Sequence, residues 1–143
     1  MEIIRDRPLS WRQIAAVAEG ASLELSSHAR ERVEAARRIV ESIVSMGMRA
    51  YGINTGVGAL CDVIVEPSQL RQLSRNIVMS HAVGVGAPLG GCEVRAIIAA
   101  AINNFAHGHS GVRLEVVERL EWLLRADCIP VVPAAGSVGY LSH

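Results

Sequence analysis

Between Ser26 and Gly47 the chain carries one helical pattern long enough to decide its fold class. Val33, Ala36, Val40, Ile43 and Val44 recur at helical spacing and make a single apolar face. Arg30, Glu31, Glu34, Arg37, Arg38 and Glu41 supply the solvated side. Ser26 or Ser27 stands where an N-cap is needed, and Gly47 stands where the helix ends. A stripe this long needs neighbours to cover it, and the chain offers four more segments of the same period. Ser10 caps a helix over Trp11–Glu19, with Gly20 as its C′ residue. Pro67 suits the first position of a third helix, with Leu70, Leu73 and Ile77 at helical spacing, running out at Ser80. A fourth runs from Glu93 to about Ala106 with Val94, Ile97, Ile98, Ala101 and Phe105 inward. The fifth, about Leu114–Ala126, presents Val117, Leu120, Leu123 and Leu124. Glu2–Arg5 and Ser22–Leu25 read as short strands near the start, and Pro130 and Pro133 force extended backbone towards Gly136. The fold class is mostly α.

Composition narrows the function classes. Half of the 143 residues are apolar, yet only Trp11, Tyr51, Phe105, Trp122 and Tyr140 are aromatic. The core is therefore built from Ala, Val, Ile and Leu, which suits closely packed helices. Formal charge is zero and all fourteen basic residues are unclustered arginines, so neither a nucleic-acid footprint nor a membrane-surface stripe is present. Without lysine, Schiff-base chemistry on a lysine of this chain is excluded. Cys61, Cys92 and Cys128 are odd in number and lack C-x-x-C spacing, which points to reduced thiols and a cytoplasmic setting. No apolar run reaches the roughly 18 residues of a membrane helix, and no signal-peptide pattern precedes the first helix.

Chemistry concentrates where the helices stop. Tyr51-Gly52-Ile53-Asn54-Thr55-Gly56-Val57-Gly58 puts a phenol, a carboxamide, a hydroxyl and three glycines into one loop after the long helix. Glycines at such spacing permit positive φ and close approach of a ligand. Ser80–Pro88 and Pro133–Gly139 are two further glycine-rich stretches. Sites in helical proteins are commonly built where such loops and helix ends converge.

Three blocks resemble the aromatic amino-acid ammonia-lyase family, its histidine branch above all. Tyr51–Gly58 is similar to the family's Tyr-Gly-x-Asn-Thr-Gly-x-Gly loop, and Ser80-His81-Ala82-Val83-Gly84-Val85-Gly86 to its Ser-His-Ala-x-Gly-x-Gly segment. Ser110–Arg113, Pro130–Pro133 and Gly136-Ser137-Val138-Gly139 resemble the approach to the family's catalytic electrophile. The blocks follow family order across nearly the whole chain, which corresponds to the N-terminal part of the longer family members. Residues 1–143 therefore read as the N-terminal part of an ammonia-lyase-like (fumarase/aspartase-like) domain, incomplete without further chain.

The resemblance implies elimination of ammonia from an aromatic L-amino acid, L-histidine to urocanate, on a self-derived methylidene-imidazolone. It implies a small-molecule amino-acid substrate, a homotetramer, and neither nucleic-acid nor membrane partners. Tyr51 takes the position of the general base, acting as phenolate; a phenol ordinarily titrates at about 10, so this role calls for nearby positive charge or hydrogen bonds. His81 matches the substrate-side histidine, while its place at a helix end also suits a C-terminal cap. Asn54 either contacts substrate or holds the turn, and Gly58 completes the substrate-side loop. Gly136, Ser137, Val138, Gly139 and Tyr140 flank the electrophile position. His107 and His109 flank a glycine without carboxylate or thiol at ligand spacing, so no metal site is expected. Ser137 lacks the Gly-x-Ser-x-Gly context of a nucleophile.

One departure bears on the cofactor. The family's turn runs into Ala-Ser-Gly, the electrophile's precursor, whereas here Gly139 is followed by Tyr140-Leu141-Ser142-His143. Three readings stay open: a matured residue omitted from the one-letter string, a relative with altered or no lyase activity, or a cleaved protein whose second chain carries the rest.

Overall fold

The computed structural model describes the backbone of residues 2–136 and the side chains from Arg5 onward. In chain order the elements are β1 (Glu2–Arg5), α1 (Trp11–Ala18), β2 (Ser22–Leu25), α2 (Ser27–Ser45), α3 (Leu70–His81), β3 (Val85–Pro88), α4 (Gly91–Phe105), α5 (Leu114–Arg125) and β4 (Pro133–Ala135). Single 3-10 turns stand at Gly58–Leu60 and Pro67–Gln69. The architecture is mostly helical with short strands, as the sequence predicts. No helix among the described residues is long and apolar enough to cross a membrane. The chain divides into two compact units, Met1–Arg37 with Gly84–His143, and Arg38–Val83.

In the first unit, β1 and β2 pair in parallel with Glu2 opposite Ser22 and Arg5 opposite Leu25. Leu23 and Leu25 point inward from β2, and Val17 joins them from α1. Ala29 and Val33 of α2, Val94, Ile98, Ala99 and Ile102 of α4, and Val117 and Leu124 of α5 complete the core. Each fully buried Val or Ile contributes roughly 1.5–3 kcal/mol, so this aliphatic cluster is the main source of the unit's stability. Ser10 caps α1 with a reciprocal Gln13 contact, and Gly20 follows at φ +108. Ser26, rather than Ser27, caps α2: its hydroxyl accepts from the Ala29 N–H at 3.0 Å.

α4 departs from expectation at its start and on its inward face. α4 begins at Gly91, ahead of Glu93, because the Glu93 carboxylate accepts from the Gly90 N–H at 2.7 Å and so sits three residues inside the helix start. Its inward face is also rotated: Ile97 is exposed, while Arg95 and Ala99 turn in. Arg95, only 7% exposed, donates to the Val17 carbonyl at 2.9 Å and the Leu124 carbonyl at 3.2 Å, both near helix ends. Its Nη1 also meets Asp127 at 2.9 Å. Glu121 is buried likewise, accepting from the Leu25 N–H at 2.5 Å and pairing with Arg30 at 2.9 Å. Charged residues at these positions satisfy backbone groups that the core would otherwise leave bare.

Polar links also fasten the loops of this unit. Fully buried Arg5 donates to the Asn103 side chain at 2.9 Å and to its carbonyl at 3.1 Å. Arg32 donates to the carbonyls of Ala106 and Asp6. The Ser26 hydroxyl, at 2.7 Å, holds the Asp6 carboxyl below its ordinary range, assisted by His28 and Arg32 and opposed by desolvation. Desolvation and the positive charges of Arg5, His109 and Arg32 push His107 below the usual histidine range. Gly108 (φ +76) lies against the Arg32 backbone, where a Cβ would stand 2.8 Å from the Arg32 oxygen.

The sequence assigned Ser80–Pro88 to a loop and the segment after Pro130 to extended backbone, and part of each forms a strand. β3 and β4 pair antiparallel, with Val85 opposite Ala135 and Pro88 opposite Pro133. Their short length and two prolines hide the strand signal from periodicity.

The second unit starts within α2. Val40, Ile43 and Val44 are half-buried there, continuing the predicted stripe. The helix closes with paired bonds, Gly47 N–H to the Val44 carbonyl and Met48 N–H to that of Ile43, with Gly47 at φ +64. Pro67 was expected to open a regular third helix. Its first turn is 3-10 instead, with Gln69 N–H bonded to the Glu66 carbonyl, because no side chain caps that end. α3 then runs to His81 with Leu70, Leu73 and Ile77 half-buried.

Candidate active site

The Tyr51 loop is fixed by its own polar side chains. Ile53 and Asn54 both donate backbone N–H groups to the Ala50 carbonyl, closing a turn whose third residue, Gly52, has φ +68. Most side chains avoid that conformation, so glycine is required there. Asn54, 5% exposed, accepts from the Ala50 N–H at 2.8 Å and donates Nδ2 to the Met48 carbonyl at 2.8 Å. Of the two readings of Asn54, holding the turn is directly visible: both ends of its amide are engaged within the loop. Thr55 is fully buried, its hydroxyl accepting from the Gly52 N–H and donating to the Gly56 carbonyl.

A short return ladder completes the loop. Thr55 bridges Ile64, Val65 N–H bonds the Asn54 carbonyl, and Gly56 N–H bonds the Val63 carbonyl. Gly56 is confined, since a Cβ there would lie 2.6 Å from both the Cβ and the carbonyl oxygen of Leu60. An Arg49–Asp62 ion pair joins the two arms from outside.

Tyr51 stands at the corner of this frame, 64% exposed, with its ring clear of the loop interior. The Gly58 N–H donates to the Tyr51 hydroxyl oxygen at 3.2 Å. Gly58 adopts φ +58, so the backbone presents that N–H in a conformation suited to glycine. The structure thus joins two of the residues singled out in the sequence, Tyr51 and Gly58, through the phenol oxygen.

His81 is the last residue of α3 and is exposed. Its Nδ1 lies 2.8 Å from the Ile77 carbonyl and 2.9 Å from the Ser80 hydroxyl. A carbonyl can only accept, so Nδ1 carries the proton and a neutral ring offers Nε2 as an acceptor. The C-terminal cap anticipated for His81 is therefore made by the Nδ1 edge of the ring.

Gly136 follows β4 and is exposed, while Ser137, Val138, Gly139 and Tyr140 lie outside the described residues. Among the described residues no group of three or more His, Cys, Asp or Glu side chains is arranged to hold a metal. Cys61, Cys92 and Cys128 are free thiols. A shallow groove along α5, lined by Glu115, Glu118, Arg119, Trp122 and Arg125, contains none of the residues singled out in the sequence. Sequence reasoning passed over Thr55, Gly56 and the Arg49–Asp62 pair. Thr55 and Gly56 lay inside the recognised loop, but their roles depend on the return strand, which no local pattern announces.

Comparisons with known proteins follow the same lines. The family model for aromatic amino acid lyases matches residues 9–142. A histidine ammonia-lyase of Deinococcus radiodurans is 47% identical over 138 residues, covering 96% of this chain and 26% of the relative. Among solved structures, a histidine ammonia-lyase from Trypanosoma cruzi superposes with a TM-score of 0.85 at 34% identity, covering 96% of this chain and 27% of that one. A tyrosine aminomutase from Streptomyces globisporus does so with a TM-score of 0.90 at 33% identity, covering 96% and 26%. The chain thus spans about a quarter of the length of these relatives.

Proposed function

The chain belongs to the aromatic amino acid lyase family, and on that premise we propose that it is the N-terminal part of an enzyme eliminating ammonia from an aromatic L-amino acid. L-Histidine is the first candidate, with urocanate as product. In the net reaction a β-carbon gives up a proton, the C–N bond breaks, and the amine leaves as ammonia with a double bond in its place. The observation that carries this reading is the Tyr51 hydroxyl, exposed at a turn corner with the Gly58 N–H aimed at its oxygen. A phenolate at that place has a fixed donor to hold its orientation while it takes the β-proton.

The other residues divide the work. Asn54 acts through the loop it fastens, keeping Tyr51 at its corner. His81, with Nδ1–H committed to the Ile77 carbonyl, turns an accepting Nε2 to the N–H of a substrate imidazole. The whole enzyme would be a cytoplasmic homotetramer, as the family resemblance implies.

Enzymes of this kind use a methylidene-imidazolone, which supplies the electrophile that makes the amine a leaving group. Ala-Ser-Gly occurs nowhere in the chain, and Gly139 runs into Tyr140. The residues present do not fit as the source of that group, and no step is derived through it. This absence favours a second reading: a family relative without the electrophile, with other chemistry or none, or one chain of a two-chain protein.

Two experiments separate the readings. The whole protein is supplied with L-histidine, L-tyrosine or L-phenylalanine, and ammonia and the unsaturated acid are measured. Release of both from histidine supports the leading reading; none from any of the three sinks it. Peptide mapping across Gly136–His143 then reports whether extra mass equal to Ala-Ser-Gly less its lost water lies between Gly139 and Tyr140.

A further inference from the structure

Tyr51 is held through the peptide on each side of it. The carbonyl of the preceding peptide, on Ala50, accepts from the Ile53 and Asn54 N–H groups at 3.1 and 3.2 Å. The N–H of the following peptide, on Gly52, donates to the Thr55 hydroxyl at 3.2 Å. Each peptide is planar, so holding both planes fixes φ and ψ at Tyr51 and the direction in which its side chain leaves the backbone.

The same hydroxyl reaches the other partner of the phenol. Thr55 donates to the Gly56 carbonyl at 2.8 Å. Gly56 opens the three-residue arm that ends at Gly58, whose N–H meets the Tyr51 oxygen at 3.2 Å. The arm is anchored at its start, with the Gly56 N–H on the Val63 carbonyl and Leu60 filling the space where a Cβ would stand. One hydroxyl therefore accepts from the Tyr51 side of the loop and donates to the Gly58 side. Thr55 is fully buried, so water does not compete for either bond, and each bond polarises the other. The same burial keeps its side chain away from any substrate.

We propose that Thr55 is a positioning residue for the elimination: its hydroxyl ties the peptide after Tyr51 to the Gly56–Gly58 arm and keeps the Gly58 N–H on the phenol oxygen. This rests on the proposed function, in which Tyr51 takes the β-proton. Thr55 acts through Tyr51 alone. Displacement of the phenol by about one ångström is enough to slow chemistry roughly 100-fold.

The test uses the whole protein with Thr55→Val, which keeps the shape of the side chain, and Thr55→Ser, which keeps the hydroxyl. Thr55→Val is also made in Tyr51→Phe. Steady-state kcat and KM for L-histidine are measured beside hydrogen exchange at the Gly58 amide. Thr55→Val should lower kcat roughly 10- to 100-fold with a smaller change in KM, and speed Gly58 exchange. Thr55→Ser should keep most of both. In the Tyr51→Phe protein, Thr55→Val should lower kcat no further, because no phenol is left to misplace. Wild-type kcat in Thr55→Val overturns the proposal, as does an equal loss in Thr55→Ser. A full second loss in Tyr51→Phe overturns it too, since a residue that merely supports the fold would give that result. Where Thr55→Val does not fold, Thr55→Ala removes the same hydroxyl and is read the same way. A wild-type protein that releases no ammonia overturns the parent reading and the positioning role with it. Gly58 exchange in Thr55→Val still shows in that case whether the hydroxyl holds the Gly58 bond, and unchanged exchange denies it.

Discussion

In the unit that contains α1, α4 and α5, Val17, Val33, Ile102 and Val117 are fully buried. In Arg38–Val83 the buried side chains among the described residues are Asn54 and Thr55, while Met46, Leu60, Ile64, Val78 and Met79 stand exposed. The first unit draws its order from excluded apolar surface and spends polar groups on the ends of helices and of β2, as Arg95 and Glu121 do. The second draws its order from short hydrogen bonds around one loop. Aliphatic packing tolerates a change of shape at moderate cost, whereas a satisfied polar network loses its geometry when one member goes. On the proposed function, a loop that holds Tyr51 at a fixed corner is better served by the second kind of order.

The contrast can be broken most forcibly in the core. Ile102→Ala should destabilise the first unit by about 2–5 kcal/mol, read as an earlier denaturation midpoint, while Tyr51 keeps its wild-type solvent accessibility to chemical labelling. Loss of the labelling pattern at that site would deny the two units their separate sources of order. Gly56→Ala should come next, at about 1–3 kcal/mol and towards the upper end, because its new Cβ meets the Leu60 backbone. Asn54→Ala removes two loop hydrogen bonds and leaves the Met48 carbonyl and Ala50 N–H without those partners, at about 1–3 kcal/mol. In both loop variants, amide exchange of Val65 and Gly56 should accelerate while amides in α4 remain protected. Uniform acceleration across both units would contradict the comparison.

The smallest effects are acidic. The folded state holds the Asp6 carboxyl below its ordinary value, so its contribution is present above about pH 4 and fades as pH falls further. His107 is also depressed, so the unfolded chain binds its proton more readily and stability declines as pH drops below about 6.5. Both groups are largely solvent-facing, which keeps the changes slight. Asp6→Asn should flatten the lower window and His107→Gln the upper one in denaturation midpoints measured against pH.

The same contrast explains what could be read from the amino-acid order. Helices of the first unit announce themselves because burial imposes a 3.6-residue period, and Val33, Val94 and Val117 fall where that period puts them. Ile97 misled because Arg95 and Ala99 occupy the inward positions instead, the arginine serving two helix-end carbonyls rather than solvent. Glu121 was hidden likewise, its carboxylate accepting from the Leu25 N–H at the end of β2. The β3–β4 pair escaped notice because four- and three-residue strands with two prolines carry no alternation. At the site, the Tyr51–Gly58 motif was legible as residues, but the bond between the phenol and the Gly58 N–H spans seven residues and depends on two positive-φ glycines, Gly52 and Gly58. Likewise the collision that fixes Gly56 involves Leu60 through a 3-10 turn, which composition does not disclose.

The most direct test of the account is Tyr51→Phe in the whole protein, with ammonia release from L-histidine and the denaturation midpoint measured together. Removing only the hydroxyl should reduce turnover by roughly 100- to 10,000-fold while the midpoint stays near wild type, since the ring is exposed and its bond to Gly58 is a single one. Turnover equal to wild type in that variant would contradict Tyr51 as the base.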